Sequence, residues 1–205
     1  MPADDETVLI LGAGTIGLMQ LAALRALGSK ANIIITARYP FQADAARRLG
    51  ATEVLSGGDL YQQITERTNA ALYKPMLGKR VLVGGVDRTF ECLGKDSTLD
   101  DALRLTKPGG QVIIVGVPGL AKGIDWTSVF IQELTVTASY IYDHAESWQG
   151  STTSTFAITL EMMASGELDI GWMVTHRYPL EGYDTALRQI ANKKQHPVIK
   201  PVFEF

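Results

Sequence analysis

The stretch VLILGAGTIG, from Val8 to Gly17, decides the fold of this chain of 205 residues. Val8 to Leu11 is a short apolar run without alternation, which is typical of a strand buried on both faces of a parallel sheet. Gly12, Gly14 and Gly17 then match the spacing G-x-G-x-x-G at the point where a helix would begin. The stretch therefore predicts a strand, a glycine turn and a helix.

Each glycine has a separate physical task in such a turn. The first permits a tight turn, the second lets the backbone approach a pyrophosphate, and the third lets the helix pack closely on the strand. The N–H groups and dipole of a helix amino terminus also favour an anion. The alternative is a glycine turn used for packing alone. We predict dinucleotide binding, with the pyrophosphate beside the loop residues Gly12, Gly14, Thr15, Ile16 and Gly17.

Strands and helices alternate along nearly the whole chain. The β-branched run Asn32–Ala37 and the apolar run Gln111–Val117 have strand length, and a helical stretch begins near Pro40 and ends at Gly50. Such alternation predicts an α/β fold, a Rossmann-type doubly wound parallel sheet with helices on both faces.

The domain organisation follows from the same alternation. We predict one dinucleotide-binding domain over residues 1–195 and a C-terminal appendage over 196–205. A strand is predicted over Glu133–Tyr142, at the edge of the sheet. The segment Ala70–Gly85 stays unassigned, because glycines and a proline interrupt it although RVLV has strand character.

The end of the second strand bears on the choice of cofactor. A carboxylate about twenty residues after the last glycine binds the ribose 2′-hydroxyl of NAD and repels the 2′-phosphate of NADP. That position is Ala37, and Arg38 and Tyr39 follow it. A guanidinium can bind phosphate through two hydrogen bonds, so NADP is favoured. NAD stays possible, since an exposed arginine can equally stack on adenine.

Composition excludes several classes of protein. The net charge is -3 and basic residues are scattered, which argues against a nucleic-acid partner. Cys92 is the only cysteine, so the chain forms no internal disulfide, and we expect a reducing, cytoplasmic setting. The start MPADDETVLI lacks the basic and apolar pattern of a secretory signal, and the apolar runs are too short for a membrane span.

Candidate catalytic and metal-binding residues are few. Cys92 is interpreted as a small buried hydrophobe, and Asp100 and Asp101 as acidic residues of a first helical turn. The histidines lack metal-ligand spacing. No tyrosine is followed four residues later by a lysine, which disfavours a short-chain dehydrogenase. We assign no catalytic residue and no metal ligand within this chain.

Several segments in order carry a family resemblance. They are VLILGAGTIGLMQLAALRALG, ARRLGATEVL, FECLG, LRLTKPGGQVIIVGV, ELTVTASY and VTHRYPLEGYDTAL. The chain resembles the zinc-type alcohol dehydrogenases of the medium-chain dehydrogenase/reductase superfamily, over their cofactor-binding domain and C-terminal return. In that family a preceding domain holds the catalytic zinc, so we expect this chain alone to bind cofactor and catalyse little.

The resemblance also implies contacts for individual residues and a partner. It places Arg38 by the adenosine ribose, and it implies a homodimer through the Glu133–Tyr142 strand. The other implied cofactor contacts are Lys95 at the adenine rim, Val115, Gly116 and Val117 together with Ser139 and Ile141 at the nicotinamide, and Lys200 at the pyrophosphate.

Two functions are therefore open. The first is the NAD(P)-binding part of a dehydrogenase that positions the nicotinamide for hydride transfer to or from an alcohol or carbonyl carbon. The alternative is a non-catalytic dinucleotide-binding module, acting as a sensor or as a subunit of a larger enzyme.

Overall fold

The computed structural model describes residues 1–76 and 78–205 of the chain. Contacts divide them into two units, Met1–Ser139 and Tyr140–Phe205. In chain order the elements of the first unit are β1 (Thr7–Leu11), α1 (Thr15–Ala26), β2 (Asn32–Thr36), α2 (Pro40–Arg48), β3 (Glu53–Leu55), α3 (Leu60–Thr68), β4 (Ala71–Tyr73), β5 (Val81–Val83), β6 (Val86–Glu91), α4 (Asp96–Leu105), β7 (Thr106–Ile114), α5 (Thr127–Ile131) and β8 (Thr135–Ala138).

A six-stranded sheet with the order β3-β2-β1-β6-β7-β8 forms the centre of the first unit. Every neighbouring pair in it is parallel. Val8 of β1 lies opposite Ile33 on one side and Arg88 on the other. The strand order therefore reverses between β1 and β6, which confirms the predicted Rossmann-type sheet.

Both faces of β1 are covered by helices. Leu9 and Leu11 belong to a buried cluster with Ile64 of α3 and Leu103 of α4. Ile10 points to the opposite face, toward α1, where a Cβ added to the helix glycine at position 17 would lie 3.4 Å from Ile10 Cγ2. Each such buried aliphatic side chain contributes roughly 1.5–3 kcal/mol. This two-sided burial is why the strand is continuously apolar.

The segment Ala70–Gly85, which the sequence left unassigned, contains an antiparallel hairpin. Strands β4 and β5 pair from Ala71 with Val83 to Tyr73 with Val81. Leu82 is 2% exposed and belongs to the same buried cluster as β1. Leu77, inside this segment, lies outside the described residues. A short apolar run with little alternation gave no periodicity from which to predict this pairing.

Asp100 and Asp101 do not occupy the first turn of a helix, so their interpretation as dipole partners is wrong. Helix α4 begins at Asp96, which takes that position instead. Asp101 accepts a hydrogen bond of 2.8 Å from the Tyr61 hydroxyl, and burial raises the pKa of Asp101. Asp100 accepts from Lys79 Nζ at 2.7 Å. The pair therefore connects α4 to α3 and to the segment that precedes β5.

The edge strand is shorter than the predicted Glu133–Tyr142. It consists of β8 alone, because Glu133 and Ile141 have positive φ values of 49° and 51° that an extended strand does not permit. The position at the sheet edge is as expected, since β8 pairs only with β7 among the described residues. The short helix α5 was not predicted.

The second unit is smaller and begins at Tyr140. The final strand pairs in parallel with an earlier strand of the same unit. The predicted division into a domain over residues 1–195 and an appendage over 196–205 stays a prediction. None of the described helices of the chain is long and apolar enough to cross a membrane. The elements of this unit are β9 (Glu146–Trp148), β10 (Ser151–Thr153), α6 (Thr155–Ser165), β11 (Val174–Pro179), α7 (Tyr183–Ala191) and β12 (Lys200–Glu204), with 3-10 turns at Gly171–Met173 and Leu180–Gly182.

Candidate functional site

The candidate site is the crevice at the carboxyl ends of β1 and β6. In open parallel sheets, ligands bind where the strand order reverses, and that point lies between these two strands. The glycine turn follows β1, and the loop Cys92–Lys95 follows β6. Cys92 N–H still donates to the Leu11 carbonyl at 3.1 Å, so that the two loops leave the sheet side by side.

Gly12 has a conformation and surroundings that require glycine. Its φ is +103°, and a Cβ there would lie 2.6 Å from Leu93 Cγ. Its N–H donates to Thr36 Oγ1 at 2.9 Å, which ties the turn to the end of β2. The first glycine therefore makes the turn, as predicted, and it also receives a side chain from the loop after β6.

Gly17 and Gly14 differ in what a side chain would meet. A Cβ at Gly17 would lie 1.8 Å from the Gly12 carbonyl oxygen, so only glycine lets α1 pack against the turn. At Gly14 an added Cβ meets no described atom within 4 Å. Gly14 is the N-cap residue of α1, and as a glycine it has no side chain to cap the helix. The open space beside a helix amino terminus fits the pyrophosphate of a dinucleotide.

The end of β2 presents the residues predicted to select the cofactor. Ala37 is buried and donates its N–H to the Leu55 carbonyl at 2.8 Å. Arg38 is exposed, and its Cζ lies 5.4 Å from the centroid of the Tyr39 ring. Within the described residues, no carboxylate pairs with Arg38. The N–H groups of Arg38 and Tyr39 both donate to Gln42 Oε1 at 3.3 Å, which fixes the start of α2.

Glu91 is a site residue that the sequence analysis did not single out. It is the last residue of β6, and it is completely buried. Its Oε1 accepts from Leu93 N–H at 2.9 Å, Gly94 N–H at 3.0 Å and the Thr98 hydroxyl at 2.8 Å. The available signal was a lone acidic residue at the end of a strand that is buried in the sheet, where a charge needs several donors.

The remaining predicted cofactor residues lie in different parts of the fold. Lys95 is exposed at the amino terminus of α4. Val117 is 85% exposed just beyond β7, and Ser139 is exposed beyond β8. Ile141 and Lys200 are exposed residues of the second unit. The structure therefore brings the glycine turn, the end of β2 and the loops after β6 and β7 together at the carboxyl ends of the strands.

The Cys92 thiol is partly buried beside the carboxyl end of β6. Burial, together with the nearby Glu91 carboxylate, raises the pKa of Cys92 to about 12. The thiol is therefore protonated at neutral pH and is a poor nucleophile.

Comparison with known proteins assigns the chain to a family. A family model described as "Zinc-binding dehydrogenase" matches residues 15–157. The chain belongs to the zinc-binding dehydrogenase family. The L-threonine 3-dehydrogenase of Legionella pneumophila (strain Corby) is 28% identical over 194 residues, which are 95% of this chain and 51% of that protein. An L-idonate 5-dehydrogenase of Vitis vinifera is 26% identical over 190 residues, 90% of this chain and 47% of that protein.

Solved structures show the same fold. An oxidoreductase/dehydrogenase of unknown specificity from Escherichia coli has a TM-score of 0.72 and 27% identity, covering 97% of this chain and 50% of that one. An alcohol dehydrogenase from E. coli CFT073, solved with NADH, has a TM-score of 0.75 and 17% identity, covering 100% of this chain and 53% of that one. The chain thus spans about half the length of the curated relatives it matches.

The zinc implied by the family name finds no ligand set in the described part of the chain. Those residues contain no group of three or more His, Cys, Asp or Glu side chains that could hold a metal ion. Zinc sites in proteins use three or four such ligands. The described residues therefore do not fit a zinc ion.

Proposed function

We propose that this chain binds a nicotinamide dinucleotide and presents it for hydride transfer to or from an alcohol or carbonyl carbon. The observation that carries the proposal is the glycine turn, where open space beside Gly14 meets the amino terminus of α1. The switch point of the sheet supports the same location. Family membership supports the reaction class, because the relatives are named dehydrogenases.

Each part of the candidate site has its own task in this proposal. The bound nicotinamide supplies or accepts the hydride, and the protein holds and orients it. The N–H groups at the start of α1 stabilise the pyrophosphate charge, while Arg38 and Lys95 border the adenosine. Contacts with the nicotinamide are proposed for Val115, Gly116, Val117, Ser139 and Ile141, and a pyrophosphate contact for Lys200.

The zinc and the substrate pocket are proposed for a part of the parent protein corresponding to the other half of the relatives. By itself, this chain would then bind the cofactor but catalyse little oxidation or reduction of a substrate. A cytoplasmic setting, inferred from the single cysteine, stays a prediction.

Replacing Arg38 with alanine tests the proposed cofactor and its preference for NADP. We expect the affinity for NADPH to fall roughly tenfold to a hundredfold, because a charge-assisted hydrogen bond to phosphate contributes about 1.5–3 kcal/mol. The affinity for NADH should fall less than about threefold, because the ribose hydroxyl carries no charge. Isothermal titration calorimetry with both cofactors measures the two effects.

Arg47→Ala is the matched control for this test. Arg47 is an exposed arginine in α2 that pairs with Asp44, so its loss should leave both affinities unchanged. Equal losses for NADPH and NADH in Arg38→Ala would contradict phosphate recognition and indicate stacking on adenine. Absence of binding by the unmodified chain at millimolar concentrations of either cofactor would overturn the proposed function.

We also propose a homodimer through β8. This strand lies at the sheet edge, and Thr135, Thr137 and Ala138 are exposed. An exposed strand edge offers unpaired backbone groups to another chain, and a lysine on such an edge opposes pairing. Thr137→Lys should therefore convert a dimer to a monomer in size-exclusion chromatography with light scattering. Thr152→Lys, on the exposed face of β10, should not. A monomeric unmodified chain would contradict the proposal.

A further inference from the structure

Glu91 binds to two loops at once. Its carboxylate accepts from the loop that follows β6, and its main-chain carbonyl accepts from the loop that follows β7. The N–H groups of Val115 and Gly116 donate to that carbonyl at 2.9 and 2.8 Å. One residue therefore connects the predicted adenine rim with the predicted nicotinamide contact.

The two loops also pack against each other without intervening side chains. A Cβ at Gly116 would lie 2.2 Å from Gly94 N and 2.8 Å from Glu91 Oε2. A Cβ at Gly94 would lie 2.5 Å from the Val117 carbonyl oxygen. The carboxylate is thus enclosed between two glycines, and neither loop can move toward the other.

The connected loops also contact the glycine turn. Leu93, whose N–H is held by the Glu91 carboxylate, places its side chain against the Cα of Gly12. The position of Leu93 therefore sets the distance between the loop after β6 and the turn after β1. These are the two walls of the crevice.

We propose that Glu91 is a positioning residue. It holds the loops after β6 and β7 as one layer, and through Leu93 it sets the width of the crevice that receives the dinucleotide. The ligand in this statement rests on the proposed function, whereas the layer rests on the contacts of Glu91 alone. The charge matters because three donors point at Oε1 and the second oxygen is also shared with Gly94 N–H at 3.0 Å. A glutamine would place an amide donor beside one of these donors.

Hydrogen exchange of individual amides, measured by NMR, tests the layer directly. In Glu91→Gln we expect exchange at Leu93 and Gly94 to accelerate at least about tenfold and at Val115 and Gly116 about threefold, because charged hydrogen bonds are the stronger ones. Exchange at Ile33, which is buried in β2, should stay unchanged. Circular dichroism establishes that the variant is folded at the temperature used.

Glu6→Gln is the matched control. Glu6 is a carboxylate at the amino end of β1, on the side of the sheet away from the crevice, and it accepts a hydrogen bond from Arg88 Nε at 2.6 Å. This variant makes the same chemical change but should leave exchange in both loops unchanged. If Glu91→Gln does not fold, Thr98→Ala provides the second variant, because it removes one donor and keeps the carboxylate. It should accelerate exchange at Leu93 and Gly94 alone.

Calorimetry then tests the crevice. Glu91→Gln should weaken NADPH binding at least about tenfold, and adenosine 2′,5′-bisphosphate binding by a smaller factor, because the fragment borders the loop after β6 but does not reach the loop after β7. Glu6→Gln should leave both affinities unchanged.

The outcomes separate the two proposals. Unchanged exchange and affinity in folded Glu91→Gln would overturn the positioning role, and so would equal acceleration over the whole first unit, which indicates lost stability alone. If the unmodified chain binds no dinucleotide, the proposed function fails and the crevice role fails with it. The exchange data would still decide whether Glu91 holds the two loops together.

Discussion

Replacing Gly17 with alanine should destabilise the first unit by about 3 kcal/mol, toward the upper end for overpacked sites. The reason is geometric, since the added Cβ would lie 1.8 Å from the Gly12 carbonyl oxygen. The new methyl group on α1 would therefore clash with the backbone of the glycine turn. Relief requires α1 to move away from β1, which opens the core around Ile10. Thermal unfolding should show a melting temperature lower by roughly 6–12 °C for a chain of this size.

Gly14→Ala is the control, because it adds the same methyl group to the same turn. Gly14 has a φ of -80° and no described atom within 4 Å of the added Cβ, so stability should hardly change. The methyl would instead occupy the space assigned to the pyrophosphate and weaken cofactor binding. A melting temperature lowered equally by the two substitutions would contradict the close backbone approach at Gly17 and the open space at Gly14.

Replacing Asp100 with alanine should cost the first unit about 3–5 kcal/mol, as expected when one partner of a buried ion pair is removed. Asp100 is 3% exposed and accepts from Arg104 Nε at 3.0 Å and from the Asp125 N–H at 2.8 Å. Arg104 is 4% exposed and would lose one of its carboxylate partners. Urea unfolding measures the change. Asp44→Ala removes an exposed ion pair instead, and should cost less than about 1 kcal/mol.

The same carboxylate gives a pH dependence with a definite sign. Burial opposes ionisation of Asp100, but the hydrogen bonds from Lys79, the Asp125 N–H and Arg104 outweigh it and lower its pKa below the ordinary value of 3.8. The contribution of Asp100 to the free energy of unfolding is therefore present above pH 3.8, the ordinary pKa. It is lost as the pH falls through the lower pKa of the folded state. The stability difference between the unmodified chain and Asp100→Asn should be constant near neutral pH and shrink below about pH 4. A difference that grows on acidification would contradict this assignment.

The sequence predicted the sheet well where local chemistry decides it. The apolar run of β1 and the glycine spacing reflect burial on both faces and close backbone approach, and both are requirements of single positions. Ala37 and Arg38 follow the end of β2, as the spacing indicated, and their contact with a cofactor stays a prediction. The start of α2 was also found, since Pro40 is a local signal.

Other features could not be predicted from local patterns. The strand predicted over Glu133–Tyr142 was too long, because β propensity does not reveal a left-handed residue at either end. The hairpins β4–β5 and β9–β10 have strands of three residues, which are too short for a periodicity to stand out.

The sequence by itself determined the fold class, the glycine turn and the family, because each rests on residue type at fixed spacing. Only the tertiary structure decided how the edge of the sheet is held. Glu91 packs against Gly116, and Lys79 donates to Asp100, although each pair is more than twenty residues apart in sequence. No local sequence pattern predicts such contacts. The physical reason is that a buried charge is stable only where several donors converge on it, and convergence is a property of packed elements rather than of neighbouring residues.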